Sequence, residues 1–149
     1  MGGALDRRER MLRTRARRRA LQALYAWQMS GYPMRQIEQQ FAQEQAHEQA
    51  DLEYFRELVF GVEKECDSLD AALQPFLDRD VARVDAIERA ILRLGAWELR
   101  HRLDVPYRVV INEAVELAKS FGNDQGHAYV NGVLDQLATR ERAAEYRRD

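Results

Sequence analysis

Apolar residues recur at helical spacing through almost the whole 149-residue chain, and the pattern is broken at three prolines, Pro33, Pro75 and Pro106. Proline lacks a backbone N–H and pushes the residue before it away from helical geometry, so these positions punctuate helices. With only eight glycines and little strict apolar/polar alternation, few turns and strands are signalled. The chain is therefore expected to be all-α.

Between the prolines the spacing predicts a first helix over about 14–30, where Leu21, Leu24, Tyr25 and Gln28 fall at i, i+3, i+4, i+7 and Gly31 supplies a stop. A shorter polar helix follows over about 34–45. Asp51 is placed to cap a third, whose face Leu52, Phe55, Leu58, Val59 and Val62 continues through Leu69, Leu73 and Phe76. Over 81–102 apolar residues spread around much of the helix, as expected of a central buried element, and Gly95 permits close helix packing. Two more helices follow the turn at Pro106, one ending at Gly122 and one starting near Gly126. The residues from 140 to 149 read as a charged tail that frays. About seven helices result, the one after Pro106 counted as the sixth and the one from Gly126 as the seventh, forming one domain or two small helical subdomains, over 13–80 and 81–139, that share a core; a flexible basic extension over 1–12 precedes them.

The net charge of −2 conceals an asymmetry: residues 1–19 hold eight arginines against Asp6 and Glu9, a net +6, leaving −8 elsewhere. An isolated basic end on an acidic chain points to a local polyanion site. Of 23 basic residues only Lys64 and Lys119 are lysines, a bias to which a GC-rich genome would also contribute. The single cysteine, Cys66, can form neither an internal disulfide nor a thiolate cluster and reads as a part-buried thiol, which suits a reducing cytoplasm. The uncharged run over 20–34 is interrupted by Gln22, Gln28 and Ser30 and is too short to span a bilayer. No membrane association is expected.

A metal site is the main rival to polyanion binding, because Glu44 with His47 and Glu98 with His101 each have the Glu-x-x-His spacing of di-iron helical bundles. His47 lacks an apolar wall in the sequence, and His101 lies between Arg100 and Arg102, whose charge opposes a cation. Chance spacing in a Glu-rich chain is preferred, so no metal and no cofactor are assigned. There is no phosphate-binding glycine loop, nucleophile elbow or zinc-protease motif, and the carboxylates are dispersed, so no catalytic residue is assigned either.

The arginines Arg13, Arg15, Arg17, Arg18 and Arg19 are the strongest chemical signal. A guanidinium matches phosphate oxygens bidentately and also stacks on bases, which suits RNA. On a helix starting near Thr14, Arg15, Arg18, Arg19 and Gln22 share one face. Tyr25 and Trp27 follow within two turns, where an aromatic could stack an unpaired base; for Trp27 core packing is the better reading.

Five segments resemble the NusB family of antitermination factors in order and spacing: QALYAWQ at 22–28 behind the arginines, YFRELVFGV at 54–62, ERAILRLGAWEL at 88–99, DVPYRVVINEAVELAKSFG at 104–122 and YVNGVLD at 129–135. The fourth is the most specific. The resemblance spans about 13–138 and implies two helical bundles, of about three and four helices. It also implies binding of the boxA element of nascent RNA together with the ribosomal protein NusE, helping RNA polymerase pass terminators in ribosomal RNA operons, without catalysis or cofactor. By position it implies an RNA-facing surface from the arginine block and Tyr25, a second RNA-side aromatic at Tyr129, and a protein-partner contact at Glu88. Residues 1–12 and the loop 123–126 depart from the family's pattern.

A related helical module is the RNA-binding part of larger ribosomal RNA methyltransferases. Lacking a glycine-rich cofactor loop and a catalytic cysteine motif, this chain would need a further domain for that activity. Monomer and homodimer are both compatible with the sequence.

Overall fold

A computed structural model describes residues 5–44 and 48–148, and among these it contains seven α-helices, two single 3-10 turns and no strand. Residues up to Lys64 form one compact unit and residues from Glu65 a second. No helix among the described residues is long and apolar enough to cross a membrane.

In the first unit α1 runs from Arg7 to Ser30. It starts seven residues before the point that apolar spacing predicts, so residues 7–12 are helix rather than extension. The cause is local: the Asp6 carboxylate accepts from the Glu9 N–H at 2.7 Å, an Asp-x-x-Glu start that needs no apolar face. Gly31 ends the helix in the left-handed region at φ 75°, its N–H donating to the Trp27 carbonyl. Helix α2 (Met34–Glu44) packs on α1, and its first N–H donates 2.9 Å to the Glu63 carboxylate.

Helix α3 (Leu52–Leu73) crosses the division between units and leaves helical geometry at Glu65 (φ −109°, ψ 18°). The expected cap is present, with the Tyr54 N–H donating to the Asp51 carboxylate at 3.0 Å. In the first unit Ala16, Ala20, Leu24, Met34, Phe55, Leu58, Val59 and Val62 are fully buried or nearly so.

The second unit begins at Glu65 and not near residue 80, because the later turns of α3 are tied to α4 (Ala86–His101). Arg93 grips Asp70 with two bonds of 2.8 Å, and Arg100 reaches Ser68 at 2.9 Å. The single turns Gln74–Phe76 and Val81–Arg83 lead into α4, whose first N–H groups are capped by Asp85. Helices α5 (Tyr107–Phe121) and α6 (Gly126–Glu141) complete the core with α4. A Cβ on Gly95 would lie 2.7 Å from Leu134 Cδ1, so a side chain there would force the buried Leu134 to shift.

The tail is not frayed. Helix α7 (Ala143–Arg148) packs on α6, and Arg142 just before it is buried. The count of seven thus includes α7, while the apolar face from Leu52 to Leu73 belongs to a single kinked helix.

Candidate nucleic-acid interface

Helix α1 divides its arginines between two tasks according to the side each occupies. Arg17 and Arg19 are buried at 4% and 3% exposure. Arg17 donates to the Tyr54 hydroxyl at 3.4 Å, and its guanidinium lies 5.3 Å from the centre of that ring. Arg13, one turn earlier and half-buried, lies 4.6 Å from the same ring, so two cations flank Tyr54. Arg19 donates to the Glu48 carbonyl at 2.8 Å.

These contacts, with Arg15 on the Gln49 carbonyl at 3.2 Å and Arg8 on the Gln49 side chain at 2.8 Å, moor the segment that leads into α3. A buried guanidinium needs acceptors within the fold, so Arg19 serves the fold first.

Arg18 is exposed, and among the described residues it makes no hydrogen bond or ion pair. Arg15 is half-buried beside it. With Met11, Gln22, Tyr25 and Met29 they fall at alternating spacings of four and three residues, which on a helix is one continuous stripe. Gln22 is half-buried within it; Tyr25 is 39% exposed and Met29 60%. Basic groups thus lie toward the start of the stripe and an exposed ring toward its end. Trp27, turned away from the stripe, is half-buried.

Tyr129 belongs to a separate cluster in the second unit. Its hydroxyl donates to the Asp78 carboxylate at 3.0 Å, the same carboxylate pairs with Arg79, and the Arg79 guanidinium stands 5.9 Å from the tyrosine ring centre. Burial, followed by the Asp78 hydrogen bond, raises the Tyr129 hydroxyl above its usual range.

Glu88 is only 8% exposed, and its carboxylate lies against Gly126 at the start of α6, where a Cβ would come within 2.8 Å of Oε2. Burial and neighbouring Asp85 push it above the usual carboxylate range, and Arg79 opposes them. The neighbours that might have neutralised it on its own helix are committed elsewhere: Arg93 to Asp70, and Arg89 to the carbonyls of Ala82 and Val84. Any partner reaching Glu88 meets an edge of a nearly buried carboxylate, not a free side chain.

The two Glu-x-x-His spacings do not converge on one site in the described residues. His47 lies outside them; His101 pairs with Glu65 at 2.5 Å and stacks near Trp97, and Glu98 is buried. No group of three or more metal-ligating side chains occurs among the described residues. Cys66 is part-buried, and burial pushes its thiol up.

A family model described as the NusB family matches residues 14–139. The chain belongs to the NusB family. Its NusB relatives include the transcription antitermination protein NusB of Xanthomonas axonopodis pv. citri (strain 306), 62% identical over 143 residues covering 96% of this chain and 90% of that protein. The corresponding protein of Xanthomonas campestris pv. campestris (strain B100) is 61% identical with the same coverage.

Among solved structures the fold is similar to T. maritima NusB, with a TM-score of 0.78 and 27% identity over 85% of this chain and 90% of that one. It is equally similar to a chain from the crystal structure of antitermination factors NusB and NusE in complex with double-stranded RNA, with a TM-score of 0.78 and 25% identity over 97% of this chain and all of that one.

Proposed function

We propose that this NusB family chain is a cytoplasmic transcription antitermination factor, a binding protein and not an enzyme. In this reading it holds the boxA element of nascent ribosomal RNA together with the ribosomal protein NusE, within an antitermination complex that lets RNA polymerase read through terminators. The observation that carries the RNA part is the stripe on α1, where the exposed Arg18 and the half-buried Arg15 lie about two and three turns before the exposed ring of Tyr25. Guanidinium groups meet phosphates, while an exposed ring stacks an unpaired base, the combination that single-stranded RNA requires.

Arg13, Arg15 and Arg18 are assigned the phosphates, Gln22 and Tyr25 the bases, and Tyr129 a second stacking position. Arg17 and Arg19 support this surface from within. Glu88 is assigned to the NusE side, as an edge contact. Three phosphate contacts give a log-log salt slope of about −2 for single-stranded RNA, against about −3.5 if all five arginines of the block took part.

The test is titration of labelled boxA RNA at several salt concentrations with wild type and the Arg15→Ala/Arg18→Ala variant. The variant should bind more weakly and with a shallower slope while keeping its helicity; unchanged affinity would remove α1 from the interface.

A further inference from the structure

Arg79 carries no role in the sequence pattern, yet its guanidinium stands 5.9 Å from the centre of the Tyr129 ring. Its Nε and one terminal nitrogen each donate 2.8 Å to the two oxygens of Asp78. That carboxylate also accepts from the Tyr129 hydroxyl at 3.0 Å, and the Asp78 N–H reaches back to the same hydroxyl oxygen at 3.5 Å. Both side chains of the ion pair stand well out in solvent, 50% exposed for Arg79 and 57% for Asp78. Arg79 and the Tyr129 hydroxyl hold the Asp78 carboxyl down to about 2, so the group is ionised throughout the physiological range.

The edge of a guanidinium that Asp78 fills is the edge that binds a phosphate, because the paired N–H vectors match two oxygens of either group. An exposed ion pair contributes little, and neighbours in sequence give it no burial. A polyanion that engages several groups at once can therefore displace it.

We propose that Arg79 is a phosphate-binding residue of the RNA surface and that Asp78 is its resident competitor, a carboxylate that occupies the guanidinium and the Tyr129 hydroxyl until RNA phosphate takes its place. The inference rests on the assignment of Tyr129 to the RNA side. Removing the competitor should tighten binding, and the gain should require Arg79.

The experiment is a double-mutant cycle with Asp78→Asn, Arg79→Ala and the double variant, each titrated with labelled single-stranded boxA RNA, with folding checked by far-ultraviolet circular dichroism. Asp78→Asn should bind about two- to fivefold more tightly than wild type, the scale set by an exposed ion pair. Arg79→Ala should bind more weakly, and in its background Asp78→Asn should give little gain.

Equal or weaker binding by Asp78→Asn would overturn the inference, since the carboxylate would then be neutral or a positioning group. So would an equal gain in both backgrounds, which would mark a general effect of charge. The Arg15→Ala/Arg18→Ala variant separates the levels. If it weakens binding and Asp78→Asn does not tighten it, only the present inference fails; a wild type that binds no RNA overturns both.

Discussion

Arg142 and Glu145, three residues apart at the start of the last helix, pair at 2.7 Å and together close two other helix ends. Arg142 donates to the carbonyls of Glu98, Leu99 and Arg102 at the end of α4 and to that of Val105 in the following turn. Glu145 accepts from the Tyr107 N–H at the start of α5, which Pro106 leaves without a side-chain cap. The final carbonyls of a helix lack intrahelical partners and carry partial negative charge, so a buried guanidinium there meets both needs. Arg142→Met should cost about 3–5 kcal/mol, because it leaves several buried carbonyls without a donor. Urea unfolding followed by circular dichroism would measure this; a loss comparable with that of an exposed arginine would show that the network is dispensable.

The arginines of α1 should separate by property. Arg19→Ala removes a charged donor to a part-buried carbonyl and should cost about 1.5–3 kcal/mol of stability, whereas Arg18→Ala should leave stability nearly unchanged and weaken RNA binding. Parallel unfolding and RNA titrations on the two variants check the division. The reverse pattern would place the RNA on the other side of the helix.

Tyr25 is assigned a stacking role, so Tyr25→Ala should cost about 1–3 kcal/mol of affinity for single-stranded boxA RNA with little change in salt slope. A duplex of the same sequence hides its base faces, so the variant should lose little affinity for it. Equal losses on both RNAs would indicate that the residue shapes the helix surface and does not stack.

Much of this was visible in the sequence wherever one residue acts locally. Pro33 and Pro106 mark helix starts, Pro75 follows the end of α3, Gly31 ends α1, Asp51 caps α3 and Gly95 admits Leu134, each for a reason that lies within a few positions or in a missing side chain. The start of α1 was also legible in Asp6 and Glu9, but it is hidden from a search for apolar spacing because residues 7–13 are largely charged. What could not be read was the use of charge across the fold. Arg17 reads as RNA-facing and Arg142 as part of a charged tail, yet each is buried and finds a partner 37 or more residues away. The same holds for Glu88, which reads as an exposed carboxylate in the sequence and is nearly buried against Gly126.

Glu88 carries a consequence for pH dependence. Its carboxyl is raised above the ordinary value of 4.5 by burial, so the folded state holds that proton more tightly than the unfolded chain does. Stability from this group is therefore greatest below the ordinary value and falls as pH rises through the raised one. Glu88→Gln removes the burden of an ionised, desolvated group, and should raise Tm at neutral pH while flattening the pH dependence above the ordinary carboxylate value. Thermal unfolding across that range decides it; a variant less stable at neutral pH would mean that the carboxylate has a favourable partner.

Joint recognition of boxA RNA by this chain and NusE can be measured by fluorescence titration of labelled boxA and scrambled RNA, each with and without NusE. Preference for boxA is expected, with a further gain in affinity with NusE and loss of that gain in Glu88→Arg while binding by the isolated variant stays near wild type. Equal binding of boxA and scrambled RNA under both conditions would contradict it.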